Sequence, residues 1–495
     1  MRREEHSPML WVTLPMLLGV ICTMLFSVST LYIGLLLLSL LIIFLLRRTI
    51  VLLYPIIFCF GALITSLQIS HRGLEESAET VATLKISSSN QAQITAIYSP
   101  QNNQWNRVNH KVALYNSVGL VSLANSNNIN TDSLNYTTTV AKIKITSIDH
   151  HKSQYNNFLY NRGIYNRVEI IQIISQSPKR EPLSTRLNRW AFNRLETLQL
   201  SEESLALASA MTIARRELLT EERMESYRNS GTSHIMALSG LHMGIILLLI
   251  SWLTLPLAVI MRGHLAANII SITMIWLFAM LAGMGDSIVR AAWMFSLLQF
   301  SLLLSRKYAS FNSLLTALLF MVIFDPYAIY DLSLQMSFIS VAAIILVGVP
   351  AIKTFYIQIP ILNICCNSII ISCIATVATA PIISYLFGYI ALISPLVTLL
   401  LLPLLSIIII TTILWIVCPI TDLAPIFRYI IEYSSTLQNY IVDWFAQRNW
   451  GVVNIRISLF EMVVSYIVIV IVALIFLRVI NYLNDLKSEE REWLA

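Results

Sequence analysis

HIMALSGLHMGIILLLISWLTLPLAVIM, residues 234–261, opens with histidine, serine and glycine and then becomes an apolar run long enough to cross a bilayer. About 20 apolar residues cover the roughly 30 Å of a membrane's hydrocarbon core. Read as one helix over 233–255, the stretch places Ser233, Ala237, Gly240 and Gly244 at steps of four, three and four, on one narrow stripe. The Gly240–Gly244 spacing predicts backbone-to-backbone packing against a second helix. His234 and His242 are eight residues apart, roughly 80° around such a helix, so the pair alone does not hold a metal. These polar groups predict a helix end that lines a polar cavity.

The rest of the chain fixes the class. Of 495 residues, 56% are hydrophobic and only 12% charged, about half the charge of an ordinary soluble domain. Apolar runs at roughly 9–27, 29–46, 50–69, 233–255, 265–285, 288–304, 312–329, 332–349, 365–387, 391–417 and 457–480 give ten or eleven spans. The stretch 391–417 is the least regular, because Pro403 lies inside it. The first run has no small-residue cleavage site and a second run follows at once, unlike a cleaved signal. All six cysteines lie in apolar segments, without metal-ligand spacing.

Short loops rich in Lys and Arg mark the cytoplasmic side. Arg2 and Arg3 precede the first span and Arg47 and Arg48 follow the second, which puts the polar region 71–230 outside. Arg262, then Arg306 with Lys307, then Lys353 fall at alternate later connections. The expected organisation is N-terminal spans over 1–70, an extracytoplasmic β domain over 71–180, amphipathic connecting helices over 181–230 and a transmembrane domain over 231–485. The fold class is thus an α-helical polytopic membrane protein with a small β-barrel inserted after the third span. VATLKISS, QAQITAIYS, HKVALYN, GLVSL, TVAKIKITSI and NRVEIIQII read as short strands between Asn/Ser/Gly breaks. Their number and length fit an OB-like barrel.

The chemistry on offer is sparse. Asp286 and Arg290 are four apart and share a helix face. An arginine deep in a bilayer costs about 2.5–3.5 kcal/mol on insertion scales, so it faces protein or water. Asp331 and Gln335 share another face, and Ser333, Ser337 and Ser340 form a small stripe. A polar path through the membrane is their simplest common cause. There is no phosphate-binding GxxxxGK[ST] loop and no HxHxDH or HExxH cluster. No catalytic residue, metal or cofactor is therefore expected. Residues 71–190 carry 13 Lys/Arg against 7 Asp/Glu. Arg107, Lys111, Lys142 and Lys144 lie among Trp105 and other aromatics, a pattern that holds single strands without sequence choice. A solvated strand face looks much the same.

Together these motifs resemble the ComEC competence family, membrane channels for DNA uptake. NSGTSHIMALSGLHMG (229–244) is similar to the family's G-x-SH-LLA-ISGLHVG signature. VRAAWM (289–294), DPYAIYDLSLQMSF (325–338) and ATAPIISYLFGYIALISPL (378–396) follow in family order, and NNFLYNRGI (156–164) resembles the segment that closes the outer domain. The resemblance implies motif positions at His234, Ser239, Gly240, His242, Arg290, Asp325, Gln335 and Ser337, and an OB-like DNA-binding outer module. It implies passage of single-stranded DNA through the cytoplasmic membrane, with a separate receptor, nuclease and cytoplasmic ATPase motor as partners beside membrane lipids. Self-association is left open.

Two departures stand out. The sequence has no HxHxDH, so a metallo-β-lactamase-like region is not expected here, and Thr398 precedes Pro403 where the family often has asparagine. The alternatives are a transporter of another polymer or lipid-linked substrate, and an intramembrane hydrolase with His234 or His242 as base.

Overall fold

The structure is a computed structural model. It describes residues 8–26, 30–47, 49–69, 77–88, 91–99, 104–114, 138–148, 159, 164–177, 181–259, 263–303, 309–448 and 451–494. The chain divides into two compact units. One comprises residues 8–182 and 318–332; the other comprises 1–7, 183–317 and 333–495.

The first unit starts with helices α1 (Pro8–Leu25), α2 (Thr30–Arg47) and α3 (Leu53–Ile69). Helices α1 and α3 pack backbone to backbone. A Cβ added at Gly61 would lie 2.5 Å from the Met16 carbonyl oxygen, and one at Gly19 would run into the Phe58 carbonyl. This is the small-residue packing of membrane helices, where close approach replaces hydrophobic exclusion as the attraction.

The same unit holds five strands: β1 (Ser77–Ser88), β2 (Gln91–Ser99), β3 (Gln104–Leu114), β4 (Thr138–Ser147) and β5 (Asn166–Gln176). They pair in the order β1-β2-β3-β5-β4, and β4 pairs back onto β1. All ladders are antiparallel except β3–β5, which runs parallel over Val112–Leu114. Alternation along β4 buries Ala141, Ile143 and Ile145 while Lys144 and Thr146 face out, the period of two expected of a half-buried strand. Leu84, Ile86, Ile94 and Val168 complete the core. The expected strand GLVSL lies outside the described residues.

The larger unit is helical: α4 (Leu183–Glu196), α5 (Glu202–Ile213), α6 (Glu221–Asn229), α7 (Ser233–Met236), α8 (Gly240–Thr254), α9 (Gly263–Leu281) and α10 (Asp286–Leu303). Helix α11 (Ala309–Phe324) is shared between the units, and α12 (Leu332–Ala343) runs through a π segment into α13 (Val349–Thr354). Then come α14 (Pro360–Phe387), β6 (Ile390–Ala391), α15 (Ser394–Val417), α16 (Ala424–Ala446), β7 (Val452–Val453) and α17 (Leu459–Leu494). Among the described residues seven helical segments are long and apolar enough to span a membrane, and three shorter apolar helices join them. The chain is thus a multi-pass membrane protein. Pro403 does not break 391–417: α15 runs through it as one helix, because neighbouring helices can compensate the freed carbonyl.

One expectation needs correction. Helix α5 is not an amphipathic connector. Nine of its residues, among Ser204 and Ala206–Ile213, are buried, so it is a central element of the core rather than a surface one. Leu281 closes α9 and Ile416 lies in the last turn of α15, and both pack with Ala191 and Ile213, so these two helices end side by side.

Helix α16 has inverted polarity. Ser434, Ser435, Gln438 and Asn439 are buried, whereas Tyr429, Tyr433 and Tyr440 are exposed. Its polar face turns into the bundle, toward α5 and α6.

Candidate functional site

The signature segment is not one helix. It breaks after α7, and Ala237 and Ser239 are extended before α8 begins. The expected single stripe through Ser233, Ala237, Gly240 and Gly244 is therefore not formed. Ser239 caps α8. Its N–H donates to His242 Nδ1 (3.3 Å), and its hydroxyl lies 3.1 Å from the same nitrogen. This is a capping box with imidazole in the place usually taken by Glu or Gln.

Because Nδ1 accepts, the neutral ring carries its proton on Nε2. That nitrogen is buried and has no hydrogen-bond partner of ordinary geometry. A serine beside an imidazole has the look of a nucleophile and its base. Here the ring is committed to a helix terminus and His242 is 0% exposed, an arrangement suited to fixing the break.

The glycines also differ from expectation. A Cβ at Gly240 would meet nothing within 4 Å, and one at Gly244 would meet only the Phe295 ring, at 3.8 Å. Among the described residues no helix backbone comes within 4 Å of a Cβ at either position. The tight glycine of this segment is Gly231, with φ +75°, where an added Cβ would lie 2.6 Å from the Ala391 Cβ. It seats the segment against β6 and the start of α15.

Arg290 is buried, with 7% exposure, one turn inside α10, and its guanidinium donates to the Ser333 hydroxyl at the start of α12. Asp286 is exposed in the first turn of α10, where a carboxylate favours the helix dipole. Gln335 and Ser337 are half-buried on α12. The structure thus links Arg290 to α12 and groups Ser239, Gly240 and His242 at the head of α8, with exposed His234 one short helix earlier. Asp325 does something else: its carboxylate caps the turn Pro326–Tyr330 by accepting from the Tyr327 N–H (3.1 Å). Thr398 Oγ1, Thr412 Oγ1, Ser435 Oγ and Gln438 Oε1 on α15 and α16 are buried without protein partners, so these helices offer polar atoms to the bundle interior.

In the β domain, Trp105 is 46% exposed and stacks at a tilt on Tyr98, its cross-strand neighbour, with ring centroids 5.4 Å apart. Arg107 and Lys111 continue the same strand; their side chains lie outside the described residues. Lys142 and Lys144 are on β4, which does not neighbour β3, and Lys144 sits opposite Glu169.

One network escaped the sequence. The Arg223 Nη1 donates to both Asp443 oxygens (2.9 Å each) and Nη2 donates to Glu203 (3.0 Å). Tyr227 is fully buried; its hydroxyl donates to Asn439 Oδ1 and accepts from Gln438 Nε2, each at 3.2 Å. Burial pushes the Tyr227 phenol far above its ordinary value. No signal marked these residues, because Asp443, Gln438 and Asn439 lie more than 200 positions from Arg223 and Tyr227. Among the described residues no three His, Cys, Asp or Glu side chains converge as a metal site would require.

Fold and site define a multi-pass membrane protein whose helical unit carries a buried arginine, a broken and capped helix head and polar inner faces. The family model for competence proteins matches residues 211–479, more than half of the chain. The chain belongs to the competence protein family. It is similar to ComE operon protein 3 of Bacillus subtilis (strain 168), with 26% identity over 256 residues. That match covers 50% of this chain and 31% of the relative, so it spans under a third of the relative's length. No solved structure matches the chain.

Proposed function

We propose that this protein is a channel that passes single-stranded DNA across the cytoplasmic membrane during uptake for natural transformation, without catalytic residues of its own. The observation that carries the reading is Arg290, a guanidinium buried one turn inside α10 within the family-matched region. Such a cation is costly unless it faces protein or a polar path, and a phosphate backbone brings one negative charge per nucleotide to meet it. The inverted face of α16 and the buried hydroxyls of α15 supply further polar lining.

The β domain, on this reading, is the extracytoplasmic module that receives DNA. Its strand order, closing from β4 back to β1, supports an OB-like barrel, and the Tyr98–Trp105 pair supplies a stacking platform. Receptor, strand-degrading nuclease and ATPase motor are separate proteins.

The test follows labelled donor DNA in a deletion strain carrying the native gene or Arg290→Ala. The expected result is DNA that stays at the periphery without the protein, enters with the native chain and fails to enter with normally accumulated Arg290→Ala. Entry unchanged by deletion overturns the proposal.

A further inference from the structure

We infer that the outer face of α4 is a nucleic-acid contact surface at the membrane boundary, holding phosphates with Arg186, Arg189 and Arg194 and a base with Trp190. The inference rests on the DNA reading above and assigns it a third site, beside Arg290 and the β domain.

Four observations converge on it. At 100° per residue, Arg186, Arg189, Trp190, Asn193 and Arg194 fall within roughly 140° of α4, and all five are exposed. Helix α4 has three arginines against one acidic residue, Glu196 at its C-terminal end. Arginine and aromatic residues interleaved on one face are the pairing that tracks a single strand, charge to phosphate and ring to base.

The helix is also held rigidly. The Asn188 amide donates to the carbonyls of Ile213 (2.7 Å) and Leu281 (3.0 Å) and accepts from Arg215 Nε (2.9 Å). The Trp415 indole donates to the Arg194 carbonyl (3.0 Å). These bonds tie α4 to the C-terminal ends of α9 and α15, two spans that finish together. That junction is where a membrane helix meets water. Arg215, stacked 4.1 Å from the Phe192 ring, adds a cation beside it.

The last observation concerns the side. No apolar run of spanning length lies between residues 71 and 230, so α4 is on the side of that polar segment, extracytoplasmic in the proposed topology. Arginine clusters that serve lipid headgroups belong on the cytoplasmic side. An arginine face on the other side needs a different anion, and the DNA strand is one. From Arg186 to Arg194 the face runs about 12 Å, or three to four stacked nucleotides at roughly 3.4 Å each.

The experiment uses the full chain in phosphatidylcholine nanodiscs and a fluorescein-labelled (dT)20 probe, titrated between 0.05 and 0.5 M salt. Three lost phosphate contacts lower the log–log salt slope by about 2 for a single strand and weaken binding about 100-fold at 0.1 M salt. The triple variant Arg186→Ala/Arg189→Ala/Arg194→Ala is expected to show that loss and the triple lysine variant to keep the slope. Trp190→Ala should weaken binding with the slope unchanged. Native binding with an unaltered slope in the triple alanine variant overturns the α4 site and leaves the channel reading intact. No binding by the native chain overturns both. Quenching of Trp190 by brominated anionic lipid, unchanged by (dT)20, gives the face to headgroups and overturns the inference.

Discussion

Replacing Gly231 with alanine should unfold the signature segment, whereas the same change at Gly240, nine residues later, should be harmless to stability. The two glycines look equivalent in NSGTSHIMALSGLHMG. At Gly231 the backbone sits at φ +75°, and an added Cβ meets Ala391 at 2.6 Å and Ser394 Cβ at 3.3 Å. Left-handed backbone costs a residue with a Cβ about 1–2 kcal/mol, and forcing a methyl into a filled contact adds about 1–3 kcal/mol. The sum is about 2–5 kcal/mol. Gly240 opens α8 with nothing within 4 Å of a Cβ, so alanine there gains about 0.4–1 kcal/mol by restricting the unfolded chain. Gly244→Ala, against one ring edge at 3.8 Å, should likewise be neutral or stabilising. Thermal unfolding of the purified protein in detergent reads the difference, at roughly 2 °C per kcal/mol for a unit of this size. Gly231→Ala should fall about 4–10 °C while Gly240→Ala stays level or rises. A Gly240→Ala protein that unfolds as early as Gly231→Ala would refute the reasoning and restore helix packing at the GxxxG pair. A stable Gly240→Ala that no longer takes up DNA would instead give that glycine to the substrate.

Other outcomes follow from the same geometry. Tyr227→Phe leaves the buried amides of Gln438 and Asn439 short of a partner and should cost about 1–3 kcal/mol, read as a lower unfolding midpoint with DNA entry retained by the folded fraction. The Tyr227 phenol is held protonated by burial, so its folded pKa exceeds the unfolded one. Its stabilisation is complete below about pH 10 and is lost as pH rises above that; Tyr227→Phe should therefore flatten the alkaline fall in unfolding midpoint, and an unchanged slope would contradict the assignment. Gly61→Val puts a side chain onto the Met16 carbonyl and should lower accumulation of the protein in membranes, where Gly34→Val, with nothing within 4 Å, should not. Trp105→Ala should weaken single-strand binding by a stacking energy of about 1–3 kcal/mol, whereas Lys144→Ala, at a position opposite Glu169, should change it little.

The elements legible in the sequence are those whose signal is local. Burial alternating through Ala141, Ile143 and Ile145 needs only one strand to be read, and the positions of the long apolar helices follow from apolar length. The order of the strands was not legible. Pairing of β3 with β5 in parallel joins residues more than 50 positions apart, and bulges at Ile94/Ala96 and Val140/Ala141 shift the register that a strict period assumes. The break at Ala237–Ser239 was hidden because Ile235, Met236 and Leu238 continue the apolar content of a span, and because histidine at the third helical position is an unusual partner for a serine cap. The glycine spacing misled for a different reason. It states that a close approach is sterically allowed at Gly240 and Gly244, and only the neighbouring helix decides whether one happens.

On the channel reading, one buried arginine among the described residues, rather than many, suits conduction of a polyanion. A path has to bind its cargo well enough to draw it from water and weakly enough to release it to the next position. At an effective dielectric of about 20, a guanidinium 4 Å from a phosphate gains about 4 kcal/mol, and a row of such cations would trap the strand. Among the contacts of Arg290 is the Ser333 hydroxyl, a bond worth about 0.5–1.5 kcal/mol. A carboxylate introduced at that position would add a negative charge beside the guanidinium and oppose an approaching phosphate. Ser333→Asp should therefore stabilise the fold around Arg290 and slow DNA entry, while Ser333→Ala should leave entry near its native rate. Equal entry with Asp and Ala at position 333 would remove Arg290 from the path.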